Sequence, residues 1–193
     1  DITVLHSHIN QNLGIATMHS SMPMRMSRFS VDHSCNKTLI NALYGRFSAY
    51  EFPNHALNRV GAAEAEVVGG NLSIMYSIMG SVSDINTDGK FLFLEDLDEY
   101  LYHMDRMMMN LKRNGKLSKL KGLIIGGMTD MHDNPIPYGK GVEQIILEAV
   151  EEYDYPVCFN FPAGHNEDNR ALILGKKAAI RITNDGSTFE YLS

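Results

Sequence analysis

A succession of short apolar runs and longer segments of helical periodicity through the middle of the chain limits the fold more than any other feature. Phe91 to Leu94 and Gly122 to Gly126 read as buried strands, while Leu97 to Asn114 and Gly141 to Tyr153 carry apolar residues at helical spacing. Strands alternating with helices specify an α/β layer, and the right-handed crossover rule makes the sheet at least partly parallel. After Pro156, Val157 to Phe161 reads as a further buried strand that ends at Pro162-Ala163-Gly164-His165. The C-terminal stretch is different: Ala178 to Ile182 and Thr188 to Leu192 flank Asn184-Asp185-Gly186-Ser187, a hairpin signal because Asp-Gly tolerates positive φ.

The front of the chain reads as a helix followed by a strand. Ile2, Leu5 and Ile9 fall at helical spacing, and Gly14 opens the run Ile15 to Met18. Ser20 to Arg28, with three methionines and a proline, predicts an irregular loop, and Lys37 to Tyr44 returns to helical spacing. Pro53 and Asn54 then break regularity before Ala62 to Val68, which alternates like a strand and runs into Gly69-Gly70. A domain boundary is placed near residue 50, giving units 1–50 and 51–193. Asp1 starts with no Met, basic segment or apolar leader, so the chain is expected to begin inside a folded region.

Composition narrows the function classes. The 193 residues are 44% hydrophobic and 21% charged, with no run of about 20 apolar residues to span a bilayer, so no membrane partner is expected. A net charge of -6, with basic residues scattered apart from a cluster at Lys112 to Lys121, gives no reason to expect nucleic acid. Cys35 and Cys158 cannot form a disulfide framework and have no zinc-site spacing, which points to a reducing compartment.

Two residues stand where chemistry collects in open α/β sheets, at the C-terminal ends of strands. His165, in Ala163-Gly164-His165-Asn166, is the best general base; the plain alternative is a loop histidine hydrogen-bonded to backbone. Glu95 follows its own apolar run, beside Asp96, which suits an N-cap for the helix expected from Leu97. An acid and a histidine so placed have the geometry of the orienter and base of a hydrolytic triad. The nucleophile is missing: there is no Gly-x-Ser-x-Gly, and Ser20 and Ser21, with no helix immediately after them, read as structural. His132-Asp133 could join His165 around a metal, but the segment is turn-like and reads as a surface loop, so no metal or cofactor is expected. Gly69-Gly70-Asn71 could open a phosphate-cradling turn, yet it lacks a lysine and the full glycine spacing.

Several short segments, in order along the whole chain, resemble the LD-carboxypeptidase family, which includes muramoyltetrapeptide carboxypeptidase and the microcin immunity proteins. They are Asp1-Ile2-Thr3, Gly69-Gly70-Asn71-Leu72, Phe93-Leu94-Glu95-Asp96 with Glu99, Asp105-Arg106, Gly122 to Gly127, and Phe161-Pro162-Ala163-Gly164-His165. The resemblance implies a Ser-His-Glu triad in which Glu95 is the acid and His165 the base. The serine would stand in a Gly-aromatic-Ser-Asp turn directly before Asp1, whose backbone nitrogen would contribute to the oxyanion hole. It also puts Gly70, Asn71 and Gly164 at the wall of the site. Where the family often has Leu-Pro-Leu-Gly, this chain has Leu172-Ile173-Leu174-Gly175, a change expected to affect a turn.

The implied fold is α/β, with a swivelling β/β/α-type C-terminal domain preceded by a remnant of an N-terminal α/β domain. The remnant would expose an apolar edge, to be covered by a second copy of the chain in a homodimer or left poorly ordered. The implied activity is serine peptidase release of terminal D-alanine from murein tetrapeptide in the cytoplasm, the present chain being inactive without its serine. A microcin-immunity-type amidase, or a non-catalytic interaction domain, are the other readings.

Overall fold

The computed structural model describes residues 1–47 and 49–192. Its centre is strand β4, Phe91–Leu97, in which Phe91, Leu92, Phe93 and Leu94 are all fully buried. Alternation along the strand sends these residues into two cores. Phe91 and Phe93 pack with Val67, Phe161 and Phe189 on one face; Leu92 and Leu94 pack with Met104, Met107 and Ile146 on the other. A strand covered on both faces has no polar side to alternate with, so its sequence is continuously apolar.

Strand β4 lies inside a seven-stranded sheet that mixes parallel and antiparallel pairing. Beside it is β3, Gly61–Asn71, whose second half (Val67 to Asn71) pairs parallel with β4. The first half of β3 (Gly61 to Glu66) pairs antiparallel with β8, Lys177–Ile182. From β4 the sheet continues in parallel through β5, Gly122–Thr129, to the short β6, Val157–Cys158. In the other direction β8 forms the expected hairpin with β9, Ser187–Tyr191, and β2, Tyr50–Phe52, closes that edge. The order is β2-β9-β8-β3-β4-β5-β6, a mixed α/β fold with the parallel part that the strand and helix succession predicts.

Helices α3 (Leu72–Ile78), α4 (Leu101–Arg113) and α5 (Val142–Ala149) cover the Leu92–Leu94 face with a methionine-rich core. The expected basic cluster forms surface ion pairs, Lys112 with Glu152, Lys116 with Asp84 and Lys119 with Asp88. Both cysteines are buried free thiols.

Several elements differ from their sequence readings. Helix α4 begins at Leu101 rather than Leu97, because β4 runs on through Asp96, and Asp98, at φ 63, makes the turn out of the sheet. Asp96 therefore caps no helix of its own. Its carboxylate accepts from Asn71 Nδ2 at 2.8 Å, Ser73 N at 2.9 Å and Leu97 N at 2.9 Å, fixing the start of α3 instead. The run Val157 to Phe161 gives only two strand residues, since Asn160, at φ 56, breaks the extended backbone, although Phe159 and Phe161 stay buried. Pro23–Arg28, read as irregular, is a 3₁₀ helix.

The front segment also departs from expectation. Helix α1, Ile2–Leu13, ends at Gly14 in the left-handed conformation and packs against β3 and α3. Strand β1, Thr17–His19, pairs antiparallel with β7, Leu172–Leu174. Leu172 to Leu174, assigned to a turn in the sequence, is the strand that covers the edge thought to need a second copy. Helix α2, Ser34–Leu43, is tied to the same neighbourhood, its Thr38 Oγ1 accepting from Ala171 N at 3.1 Å. Ile2, Leu5, Leu13 and Ile15 nevertheless remain more than half exposed.

The methionine core makes a direct prediction. Met107→Ala, at a fully buried position, should lower unfolding free energy in denaturant titrations by about 2–5 kcal/mol. Met24→Ala, at an exposed position in the 3₁₀ helix, should change it by less than about 0.5 kcal/mol.

Candidate active site

The C-terminal ends of the parallel strands carry an acid and a base in direct contact. Glu95 lies within β4, not after it, opposite Asn71 of β3. On its other side the register slips: Leu94 pairs with Ile125 but Asp96 with Met128, so Gly126 and Gly127 of β5 both lie opposite Glu95. A bulge of this kind re-aims side chains and ends regular pairing. Into the space left by the two glycines comes the segment bearing His165. Gly127 N donates to Ala163 O at 2.9 Å, and a Cβ on Gly127 would lie 2.8 Å from the carbonyl carbon of His165.

Gly164 brings that segment against Glu95. It has φ +98, and a Cβ there would lie 2.6 Å from Cβ of Glu95. Its N–H donates to Asn169 Oδ1 at 3.0 Å, and Thr129 Oγ1 donates to the His165 carbonyl at 2.8 Å. With its backbone so held, His165 donates Nδ1–H to Glu95 Oε2 at 2.5 Å, across 70 positions of sequence. Glu95 is 2% exposed and the imidazole 46%, so a buried carboxylate orients a ring that is open to solvent. The hydrogen bond to Glu95 raises the His165 pKa, against partial desolvation and the positive charge of Arg25, which lower it.

Glu95 and His165 lie on the wall of a cavity of about 520 Å³. The first turn of α1 forms another wall: the Asp1 carboxylate caps that helix, accepting from Thr3 N at 2.8 Å, and Thr3 Oγ1 accepts from Asn71 N at 3.1 Å. Asp1, expected at the oxyanion hole, and Asn71 and Gly164, expected at the wall, line the cavity, whereas Gly70 does not. Gly70 is a packing residue: a Cβ there would strike the Thr3 side chain at 2.8 Å, so glycine lets α1 approach the strand.

The third wall comes from the segment 18–25 and contains residues that sequence reasoning passed over. Ser20 and Ser21, read as structural, both face the cavity, as do His19 and Arg25, and His6 reaches it from α1. His19 packs edge-on against Phe93 at 5.4 Å and lies 6.2 Å from the His6 ring. Burial lowers the pKa of both, that of His6 to about 4, so both are neutral at neutral pH. No local pattern marks them, since they lie in a methionine-rich segment without a strand-to-helix turn; the available signal was three polar residues, Thr3, His6 and Asn10, on one face of a helix otherwise rich in apolar residues. His132 does not join the group, since its Nε2 pairs with Asp98. Among the described residues no cluster of three His, Cys, Asp or Glu could hold a metal ion, and no helix is long and apolar enough to cross a membrane.

A buried carboxylate bonded to Nδ1 of a half-exposed histidine, at the C-terminal edge of a parallel sheet, is the arrangement of acid and base in a hydrolytic triad. Comparison with known proteins gives the family. Residues 64–180 match the LD-carboxypeptidase C-terminal domain, and the chain belongs to the LD-carboxypeptidase family. It is 34% identical over 199 aligned positions to a probable murein peptide carboxypeptidase of Bacillus subtilis, covering 98% of this chain and 60% of that protein. It is 30% identical to the microcin C7 self-immunity protein MccF of Escherichia coli over 72% of this chain and 41% of that one. Among solved structures, a muramoyltetrapeptide carboxypeptidase from Oxalobacter formigenes superposes with a TM-score of 0.89 at 20% identity, over all of this chain and 66% of that one. The chain thus spans about 60% of the length of the Bacillus relative.

Two measurements probe the pair. The His165 titration, followed by NMR of the imidazole, should have its midpoint above the ordinary value of about 6.5, and Glu95→Gln should move it down. Gly164→Ala should destabilise the fold by about 1–3 kcal/mol from the positive φ alone, and should lower the same midpoint by pushing Glu95 out of register with the ring.

Proposed function

We propose that the protein to which this chain belongs is a serine-type LD-carboxypeptidase that releases the terminal D-alanine of murein tetrapeptide. The observation that carries this is the Glu95–His165 pair facing the first turn of α1 across one cavity. The reading puts the nucleophilic serine immediately before Asp1, at the start of that helix. His165 Nε2 takes the serine proton as the serine oxygen attacks the carbonyl carbon before D-alanine. The Asp1 backbone N–H donates to the developing oxyanion, and helix α1 adds the positive end of its dipole. His165 then gives the proton to the leaving amine of D-alanine, and water, deprotonated by the same nitrogen, hydrolyses the acyl-enzyme. Glu95 keeps the proton on Nδ1 and favours the imidazolium that forms at each step.

The domain division near residue 50 belongs to the same proposal, supported by the seven-stranded sheet beginning at Tyr50. So does a homodimer, for which exposed Ile2, Leu5 and Leu13 on α1 offer apolar surface. A murein fragment as substrate and two buried free thiols suit the cytoplasm. The likeness to MccF supports a second reading, an amidase that cleaves an aminoacyl nucleotide with the same acid and base.

The test is release of D-alanine from murein tetrapeptide by the full-length protein. His165→Ala should lower kcat by about 10⁶-fold and Glu95→Ala by about 10⁴-fold, since the members of such a set act as a unit. The 193-residue chain alone should release none. Full activity in His165→Ala would remove the base from the mechanism, and cleavage of an aminoacyl nucleotide in preference to the peptide would favour the amidase.

A further inference from the structure

Release of a terminal residue requires a group that recognises the free α-carboxylate. Among the described residues, Arg25 is the one Arg or Lys lining the cavity that holds His165. The cavity's two carboxylates are already engaged, Asp1 on the start of α1 and Glu95 on His165. Arg25 makes no ion pair among the described residues, and its Nε is enclosed without a hydrogen-bond partner. A guanidinium drawn into a cavity without a counter-ion is only partly compensated for its lost water.

The segment that carries Arg25 is fixed. Arg25 N donates to Met22 O at 2.9 Å. Just beyond, the side-chain amide of Asn36, itself buried, donates to the carbonyls of Met26, Phe29 and Ser30 at 3.0, 3.2 and 2.9 Å. The guanidinium is close enough to His165 for its charge to act against ionisation of the ring.

We infer that Arg25 binds the terminal carboxylate of the substrate, so that the cavity selects peptides ending in a free α-carboxylate. The inference deepens the carboxypeptidase reading and rests on it. Met18 and Met22, on the same wall, provide apolar surface for the small methyl group of a terminal alanine. Arg rather than Lys suits the task, because the planar fork donates to both carboxylate oxygens at once. Neutralising Arg25 with the carboxylate also removes the charge that opposes proton uptake by His165, so that a correctly terminated substrate makes the base stronger.

The experiment uses the full-length protein with murein tetrapeptide and with the same peptide ending in D-alaninamide. The wild type should prefer the carboxylate form in kcat/KM by about 10- to 150-fold, the range for a hydrogen bond to a charged group. Arg25→Ala should collapse this ratio towards 1, Arg25→Lys should keep part of it, and Arg28→Ala, exposed in the same 3₁₀ helix, should retain the wild-type ratio. Separately, saturating N-acetyl-D-alanine should raise the NMR titration midpoint of His165 in the wild type and leave it unmoved in Arg25→Ala. An unchanged ratio in Arg25→Ala, or a His165 response that survives that substitution, would overturn the assignment. A wild-type protein that cleaves neither peptide yet shows the Arg25-dependent response would defeat the carboxypeptidase reading and leave the carboxylate site standing.

Discussion

The parallel pairing of β4 with β3 and β5 is the constraint on which the rest of the structure depends. Because β4 is buried on both faces, its register is set by two cores at once, Phe91 and Phe93 in one and Leu92 and Leu94 in the other. A slip of one residue would exchange the two sets. The end of the strand inherits that precision. Glu95, Asp96 and the facing Asn71 are positioned by the core residues before them, and the acid that meets His165 is on a rigid strand rather than a loop.

Three close approaches complete the site, and each depends on a missing side chain. Gly70 admits the first turn of α1, Gly127 admits the backbone of His165, and Gly164 admits Glu95. The charge balance is equally narrow. Burial favours the neutral forms of His6 and His19, whereas at His165 the hydrogen bond to Glu95 favours the imidazolium and the charge of Arg25 opposes it. In the proposed role of general base His165 needs a pKa near the working pH, and these opposing influences act on it from both sides.

Much of this was legible in the sequence where a strong local pattern met a simple rule. The runs at Phe91 and Gly122 and the hairpin at Asp185-Gly186 follow from periodicity and turn chemistry, as does the placing of Glu95 and His165 on the C-terminal side of the parallel strands, although Glu95 lies within β4 and His165 in the loop after β6. The failures came where tertiary contacts overruled local pattern. Asp96 looked like an N-cap because the residues after it suit a helix, but its carboxylate serves α3, a partner invisible to local reading. Leu172 to Leu174 received no strand reading, because a three-residue strand has too little alternation to register and its partner β1 lies far away in sequence. The cavity wall from His19 to Arg25 was obscured for the same reason.

That distant pairing bears on when the site can exist during the life of the chain. Asn10 Nδ2 reaches Leu174 O at 3.4 Å across 164 positions, and β1 joins β7 over a comparable span. Closing a loop of that length costs roughly 4–5 kcal/mol of chain entropy, and the cost falls before the contacts that offset it have formed. On a ribosome, β1 and the cavity wall beside it must therefore wait, unpaired, until Leu174 has emerged. The parallel strands β3 to β6 and their helices, which lie between β1 and β7 in sequence, can fold first, and β1, β7 and the β8–β9 hairpin are added to that layer afterwards.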